Sequence, residues 1–519
     1  MEWCNSFLEN HLDKDWLFTS PLSRDVLKSP LFHHLVCLEA LKELSGELRD
    51  RDITLIVEHE SIKALIISFA QKEGFLLRVK CKKRLKTFLW PLFLWRSWFN
   101  CFFHWLGVRC LCTKASLPPA ALTLVDTFIH PGHTKDRYYD GLWLFFKEKK
   151  MDGNAFYVPT ITYTPWKELP KTLLDIQKRE ENFLMRYHHL TLWDIFSAGF
   201  STAKTLTKKA PTMSFREIYM PPILHEELRN PLFFSSTLEA FLIHRFCHRL
   251  KQQGVQIERS LDWSENQVID KAWNLGISEA FPNAKRYGYQ GMLVSNMFLE
   301  KFPLDAEVKS GALPHKLLAV GPKPAEELKE FSSLQEVGVA PAFRFKSLFT
   351  CPSNSHPDYG KILIALPLTE DEARLIMDIV AGATREDPSL KWRLRLHPLH
   401  RPQLAQEFSY RTPELEISTK DVLQDLSEAK CLLSSASSMG FEALAQGVPV
   451  LVAQTFRGLD LTPFPPELKG RGWATVSDSN SLIGAIRELQ NLNRKGLKEV
   501  VMKGYFSDLT PEKFESFIT

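Results

Sequence analysis

Apolar positions along this chain keep switching between two periods, in a repeating order. Spacings of three and four mark helices. They run through residues 1–50, where Leu38, Leu41, Leu44 and Leu48 recur, and through 60–72, closed by Gly74. Further helices are predicted over 171–187 behind Pro170, over 241–253 closed by Gly254, and over 265–281. Short apolar runs between polar or small residues mark strands at 52–57, 122–128, 155–161, 255–259, 285–292 and 315–321. Beyond a loop rich in Pro and Ser at 340–359 the alternation tightens. Strands are predicted at 361–366, 392–396, 414–418, 431–433, 448–452 and 473–476, and helices at 369–383, 420–429, 438–446 and 480–491. Such alternation predicts an α/β protein with doubly wound parallel sheets. The divisions read from it are 1–335, 336–505 and a tail, 506–519.

Length and composition fit that picture. A chain of 519 residues suits two domains. With 44% hydrophobic and 24% charged residues it can bury a large core. Its 65 basic and 61 acidic residues are too balanced for nucleic acid to be the main partner. The nine cysteines are scattered, with only Cys110-x-Cys112 closely spaced, which suits free thiols in a reducing compartment. The N-terminal stretch carries acids and no apolar core of a secretory signal. No uncharged apolar run reaches the roughly 18 residues a spanning helix needs. A cytoplasmic protein is expected.

One passage changes the expected surroundings. Residues 80–112 join a basic flank (Lys80, Lys82, Lys83, Arg84, Lys86) to a segment holding Trp90, Trp95, Trp98 and Trp105. Pro91 and scattered charges argue against a membrane span. An aromatic segment beside basic residues suits a helix lying in the plane of an anionic membrane. The alternative is a buried helix with tryptophan filling.

The candidate chemistry lies at strand ends. Strand 431–433 runs into Ser434, Ser435, Ser437 and Ser438, with Gly440 behind them at a helix start. Backbone N–H groups and hydroxyls there can hold a phosphate, although a serine cap with small packing residues would read the same way. Strand 392–396 ends in His397-Pro398, where proline keeps the chain extended and imidazole can stabilise or protonate a departing phosphate. Arg393, Arg395 and His400 can add positive charge. Crevices beyond the carboxyl ends of parallel strands are where such folds bind ligands.

Glu442 on the next helix, followed by Gly447-Val448-Pro449-Val450, completes a pattern similar to the donor site of GT-B glycosyltransferases. Arg395-Leu396-His397-Pro398 with the serine cluster resembles the His-Pro and Ser-Ser motifs of bacterial sialyltransferases, polysialyltransferases and Kdo transferases. The resemblance covers about residues 360–455. It implies two Rossmann-like domains facing a cleft, an inverting transfer of a CMP-linked sugar, and a cell-surface glycan or glycolipid acceptor, as in capsule or lipopolysaccharide synthesis. It further implies phosphate contacts from His397 and the serines, and donor contacts from Pro398 and Glu442. It implies no cofactor, since the nucleotide sugar is a substrate, and no metal.

Those families place an acidic pair before a glycine as catalytic base. Here the match is Tyr139-Asp140-Gly141, with tyrosine in place of one acid, so Asp140 is the first candidate and Asp126, Asp136 and Glu265 are alternatives. Asp13-Lys14-Asp15 and Asp50-Arg51-Asp52 are read as surface charge. The rival functions are a CDP-polyol or UDP-sugar transferase, a sugar-nucleotide epimerase, and a catalytically inactive GT-B scaffold.

Overall fold

Two six-stranded sheets, each parallel throughout, organise the computed structural model of the chain. It describes all residues except 12, 49–52, 75–76, 82–88, 130–137, 216–217, 351–359, 368, 398–399, 402, 413–414, 436, 455–459, 490–491 and 519. Strand β1 (Ile53–Val57) pairs with β2 (Leu77–Cys81) in a small sheet of their own, joined by the helix Glu60–Glu73 that ends at the left-handed Gly74. The first large sheet begins with β3 (Leu122–Phe128) and β4 (Ala155–Thr160). A short antiparallel pair, β5 (Ser214–Phe215) and β6 (Ile218–Tyr219), stands apart. The first sheet resumes with β7 (Ile257–Trp263), β8 (Lys285–Gln290), β9 (Lys316–Ala319) and β10 (Glu336–Val339), in the order β10-β9-β8-β7-β3-β4. The second holds β11 (Lys361–Ala365), β12 (Lys391–Arg395), β13 (Glu416–Ile417), β14 (Ala429–Ser434), β15 (Val450–Ala453) and β16 (Trp473–Val476), in the order β13-β12-β11-β14-β15-β16.

Both orders reverse once, at β3/β7 and at β11/β14. This is the doubly wound arrangement the alternation predicts, and it marks two ligand crevices. The central strands are buried on both faces, as parallel strands covered by helices must be. Leu122, Thr123, Leu124 and Val125 of β3 are all buried.

Several expected boundaries move. The helix expected over 171–187 stops at Gln177. Its remainder runs beside β4, where Tyr157 N–H donates to the Asn182 carbonyl at 2.8 Å and Leu184 N–H to the Tyr157 carbonyl at 2.9 Å. Those bonds occupy an edge strand's open backbone groups. The strand expected at 255–259 lies at Ile257–Trp263, continuing through buried Asp262. The helix expected from 265 begins at Val268 because the Asp270 carboxylate takes the N–H groups of Glu265 and Gln267. The first sheet runs on to Val339 rather than ending at 335.

The segment expected as a tail is a helix, Pro511–Ile518, that returns to the first domain. Its Phe514 sits between Phe145 and Phe343 at ring distances of 4.9 and 5.0 Å. Ser507 is stitched in on the way: its N–H donates to the Val320 carbonyl at 2.7 Å and its carbonyl accepts from Ala342 N–H at 2.9 Å. A continuous apolar cluster including Tyr139, Trp263, Tyr289, Phe343, Phe441 and Trp473 joins the two sheets' flanks. Among the described residues, no helix is long and apolar enough to cross a membrane.

Candidate functional site

The second sheet's crevice is built on β14 and β12. Ser434 ends β14, fully buried between Ala365 of β11 and Val452 of β15, and its hydroxyl donates to the Ser435 carbonyl at 2.9 Å. Ser437 Oγ accepts the Met439 N–H at 3.3 Å in the turn that enters the helix Met439–Ala445, whose N-cap residue, Ser438, makes no side-chain cap bond. Ser435 and Ser438 are half-buried beside them. The cluster therefore divides: Ser434 and Ser437 serve the turn itself, and Ser435 and Ser438 flank the crevice. Gly440 has a packing reason, since a Cβ there would fall 2.1 Å from the Phe464 ring. Its expected place in a phosphate site is not what requires glycine.

His397 follows β12 directly and is half-buried, with its ring 5.8 Å from that of His400. Burial, and then the neighbouring His400, hold its pKa below the usual imidazole value. Pro398 lies outside the described residues. Arg393 and Arg395 are both held in ion pairs, and of the two Arg395 also acts on the Glu442 carboxyl. Arg393 is buried and pairs with Glu416 at 2.8 Å and Glu428 at 2.7 Å. Arg395 pairs with Asp425 at 3.0 Å and donates to the Lys420 carbonyl at 2.7 Å. Both reach Asp425, which is fully buried and would otherwise stand alone, while Glu416 and Glu428 are partly exposed.

Glu442 lies in the first turn of the Met439–Ala445 helix. Burial pushes its carboxyl up to about 7, against the lowering influence of Arg344.

The first sheet's crevice holds the acids. Asp126, near the end of β3, is pushed up to about 6 by burial, with Arg186 opposing. Thr160 Oγ1 donates to it at 3.4 Å, and Arg186 in turn donates to Thr160 Oγ1 at 3.2 Å. Arg186 also pairs with buried Glu239. Asp126 is thus one member of an interior polar network.

Glu265 stands in a more constrained setting. It follows β7 in a turn whose next residue, Asn266, has a left-handed φ of 56°. That conformation costs a non-glycine residue roughly 1–2 kcal/mol, and asparagine tolerates it best. The turn is held from three sides. Ser264 N–H donates to the Tyr289 carbonyl at 3.0 Å, Glu265 N–H to Asp270 at 2.9 Å, and Asn266 Nδ2 to Glu307 at 3.2 Å. Glu307 is itself clamped by Arg24 and fully buried Lys271, at 3.0 and 2.9 Å. Strain over-determined in this way is typical of functional turns. The Glu265 carboxylate accepts from Trp263 Nε1 at 2.7 Å and Gln267 Nε2 at 2.8 Å. Burial raises its pKa, with the Trp263 bond, Arg344 and Lys28 opposing.

Asp140, expected first as base, is half-exposed beside Lys346, whose ammonium is 3.6 Å away. The tyrosine before it, Tyr139, is a buried core aromatic whose ring lies 5.6 Å from Tyr289. Asp136 lies outside the described residues, as does Asp50-Arg51-Asp52. Asp13 caps its own turn through the Asp15 N–H at 3.0 Å and pairs with Lys208 at 2.6 Å.

Arg344 is the residue the sequence did not announce. It comes from the short turn Phe343–Phe345 inside the Pro- and Ser-rich loop. Its charge acts on both Glu265 and Glu442. The residues around the three lie in one packed apolar cluster, which holds Trp263, Phe343, Phe345 and Phe441.

Within the 80–112 segment, Lys80 belongs to β2, Lys82, Lys83, Arg84 and Lys86 lie outside the described residues, and residues 90–111 form the helix Trp90–Leu111. Its inner face is fixed by Trp98 and Trp105, which donate to the carbonyls of Ile195 and Leu190 at 3.2 and 3.0 Å. Trp98 seats against Gly199, where a Cβ would fall 2.6 Å from the indole. The outer face exposes Leu92, Trp95, Phe99, Phe103 and Leu106. The adjacent helix Leu192–Leu206 adds Trp193 at 71% exposure and Phe200 at 74%. The inner face is thus packed as the buried-helix alternative expects, and the outer face is exposed.

No protein-family model matches the chain, and no curated protein sequence matches it. Solved structures resemble it at low identity. The UDP-GlcNAc 2-epimerase from Neisseria meningitidis bound to UDP-GlcNAc is 12% identical, with a TM-score of 0.44, covering 73% of this chain and 94% of that one. The calicheamicin glycosyltransferase CalG4 is 13% identical, with a TM-score of 0.41, over 76% of this chain and 95% of that one. Staphylococcus aureus TarM, in complex with fondaparinux, alpha-GlcNAc-glycerol and UDP, is 10% identical, with a TM-score of 0.41, over 76% and 98%. At these values the likeness carries no argument about activity, and the reading that follows rests on the residues of the site.

Proposed function

We propose that this chain is an inverting glycosyltransferase that moves a sugar from a nucleotide-activated donor, CMP-linked and of the Kdo or sialic-acid type, to a glycan or glycolipid acceptor. The observation that carries the reading is the single apolar cluster that holds Trp263, two residues before Glu265, Phe343 and Phe345 on either side of Arg344, and Phe441, next to Glu442, beside the reversal points of two parallel sheets.

In this reading the donor lies over β11 and β14. The serine turn and the His397 imidazole hold its phosphate. With its pKa lowered, His397 is neutral near pH 7 and acts through its N–H. Glu442 reaches the donor's hydroxyls. Glu265 takes the proton from the acceptor hydroxyl, since a carboxylate raised by burial is a better base near neutrality than an exposed one. The acceptor oxygen then bonds to the anomeric carbon from the face opposite the phosphate. The bond from that carbon to the phosphate oxygen breaks, and the nucleotide leaves with the electron pair. Arg344 sits where negative charge gathers on both sides. The exposed faces of Trp90–Leu111 and Leu192–Leu206 rest on an anionic membrane and bring lipid-linked acceptors to the cleft.

The test is a thermal-shift panel of CMP, CDP, UMP, UDP and GDP, followed by product analysis with the matching sugar donors. A ligand bound only by the folded state raises Tm by mass action. A selective rise with CMP and transfer from CMP-Kdo or CMP-sialic acid is expected. A rise with UDP or CDP instead replaces the donor, and no rise with any nucleotide overturns the reading.

A further inference from the structure

Well away from the strand-end crevices, two helices of the first domain bring three metal-ligating side chains to one spot. His244 and His248 stand one turn apart on Phe234–Gln252, a spacing that puts both rings on one face. Glu279 comes from the neighbouring helix Val268–Ala280. The Nε2 atoms of the two histidines lie 2.8 and 3.0 Å from the same oxygen, Oε2 of Glu279. Their rings are 4.7 Å apart, and the three donor atoms all fall within 4.8 Å of one another. The His244 side chain is only 8% exposed and packs 6.0 Å from Phe18, which fixes its direction. His248 and Glu279 reach a surface pocket of about 480 Å³.

We infer that His244, His248 and Glu279 form a binding site for a transition-metal dication of the zinc type. Two imidazoles and one carboxylate are a ligand set that zinc takes, and three protein ligands leave a fourth position for a solvent-derived group. Hard cations such as Mg²⁺, which want oxygen ligands alone, are poorly served. Tetrahedral metal–nitrogen bonds of about 2.0–2.1 Å set ligand atoms roughly 3.3 Å apart. The two nitrogen–oxygen separations need to open by a few tenths of an ångström, and the two ring nitrogens, within 4.8 Å of each other, need to settle at the same spacing, adjustments that the surface side chains of His248 and Glu279 can supply. The ion replaces the protons that otherwise lie between the two ring nitrogens and the carboxylate oxygen. The three ligands line the pocket, together with side chains of both charges, Lys14, Asp15, Asp194 and Arg245 among them.

The site stands apart from the transfer chemistry. Val268 to Glu279 spans about 16 Å of helix at 1.5 Å per residue, and Glu265 lies just before the near end. The ion clamps two helices whose ligands are 31 residues apart in sequence.

The test uses the full-length protein stripped with a chelator, titrated with Zn²⁺, Co²⁺ and Mg²⁺ in parallel with His248→Ala and Glu279→Gln. Wild-type protein is expected to bind about one more equivalent of Zn²⁺ than either variant and to gain in Tm on Zn²⁺ but not Mg²⁺. Its Co²⁺ complex is expected to give visible ligand-field bands without the charge-transfer band of a thiolate ligand. That spectrum separates the site from the nine cysteines. Affinity in the variants is expected to fall at least about tenfold. Equal stoichiometry and equal stabilisation in all three proteins, or no binding by the wild type, overturns the assignment. Metal-free Tm values check folding, and His248→Gln stands in if the alanine variant unfolds.

Discussion

Trp263 Nε1 donates a 2.7 Å hydrogen bond to the carboxylate of Glu265, two residues further along the chain. The bond fixes where the carboxylate points and favours its ionised form. Trp263→Phe removes it. The acid limb of the transferase pH profile is then expected to move to higher pH, because Glu265 loses a stabiliser of its charge. An acid limb that does not move would assign the base elsewhere.

Glu265→Gln is expected to lower the transfer rate by about 10²–10⁴-fold, the usual contribution of a positioned base. The variant should keep its Tm and its nucleotide affinity, since the amide fills the same space. Asp140→Asn, at a half-exposed residue beside Lys346, should stay within a few-fold of wild type. Steady-state rates of the two variants side by side decide between the carboxylates.

His397→Ala is expected to cut transfer by a similar factor without changing the circular dichroism spectrum. A full rate in this variant would remove the imidazole from the mechanism.

Glu442 is raised in the folded state to about 7 from an ordinary value of 4.5. A raised carboxyl contributes most when protonated, so its contribution is complete below about 4.5 and is lost as pH climbs through about 7. Glu442→Gln should therefore stabilise the protein above neutrality, by about 1–3 kcal/mol, and gain little near pH 5. Urea unfolding at the two pH values measures the difference.

Four exposed aromatic residues on two helices form the face assigned to the membrane. Replacing Trp95, Phe99, Trp193 and Phe200 by serine should weaken binding to vesicles containing anionic lipid by at least about tenfold, since each buried aromatic contributes about 1.5–3 kcal/mol. The Tm should hardly change, because these side chains are exposed. Sedimentation with vesicles reads the effect.

Much of this molecule is local and is written in its sequence. The periods of apolar residues determined the β-α order. The change from β14 into Ser434–Ser438 and from β12 into His397 was legible because a buried strand must end where polar residues begin. The basic and aromatic composition of 80–112 already carried the choice between a lipid face and a packed one, and the helix has one packed face and one exposed face. Tertiary structure decided what depends on distant partners. The order in which strands pair is set by helix packing on both faces, and only that order puts β7 beside β3 and Glu265 at a reversal point. Burial decided which carboxylates are raised and which, like Asp140, stay at the surface. Ion pairing across the sheet end tied Arg393 and Arg395 to carboxylates there. Helix packing carried Glu279 to His244 and His248. Arg344, in a loop with no periodicity, meets Glu265 and Glu442 only because folding brings two sheets together, and charge acts through space rather than along the chain.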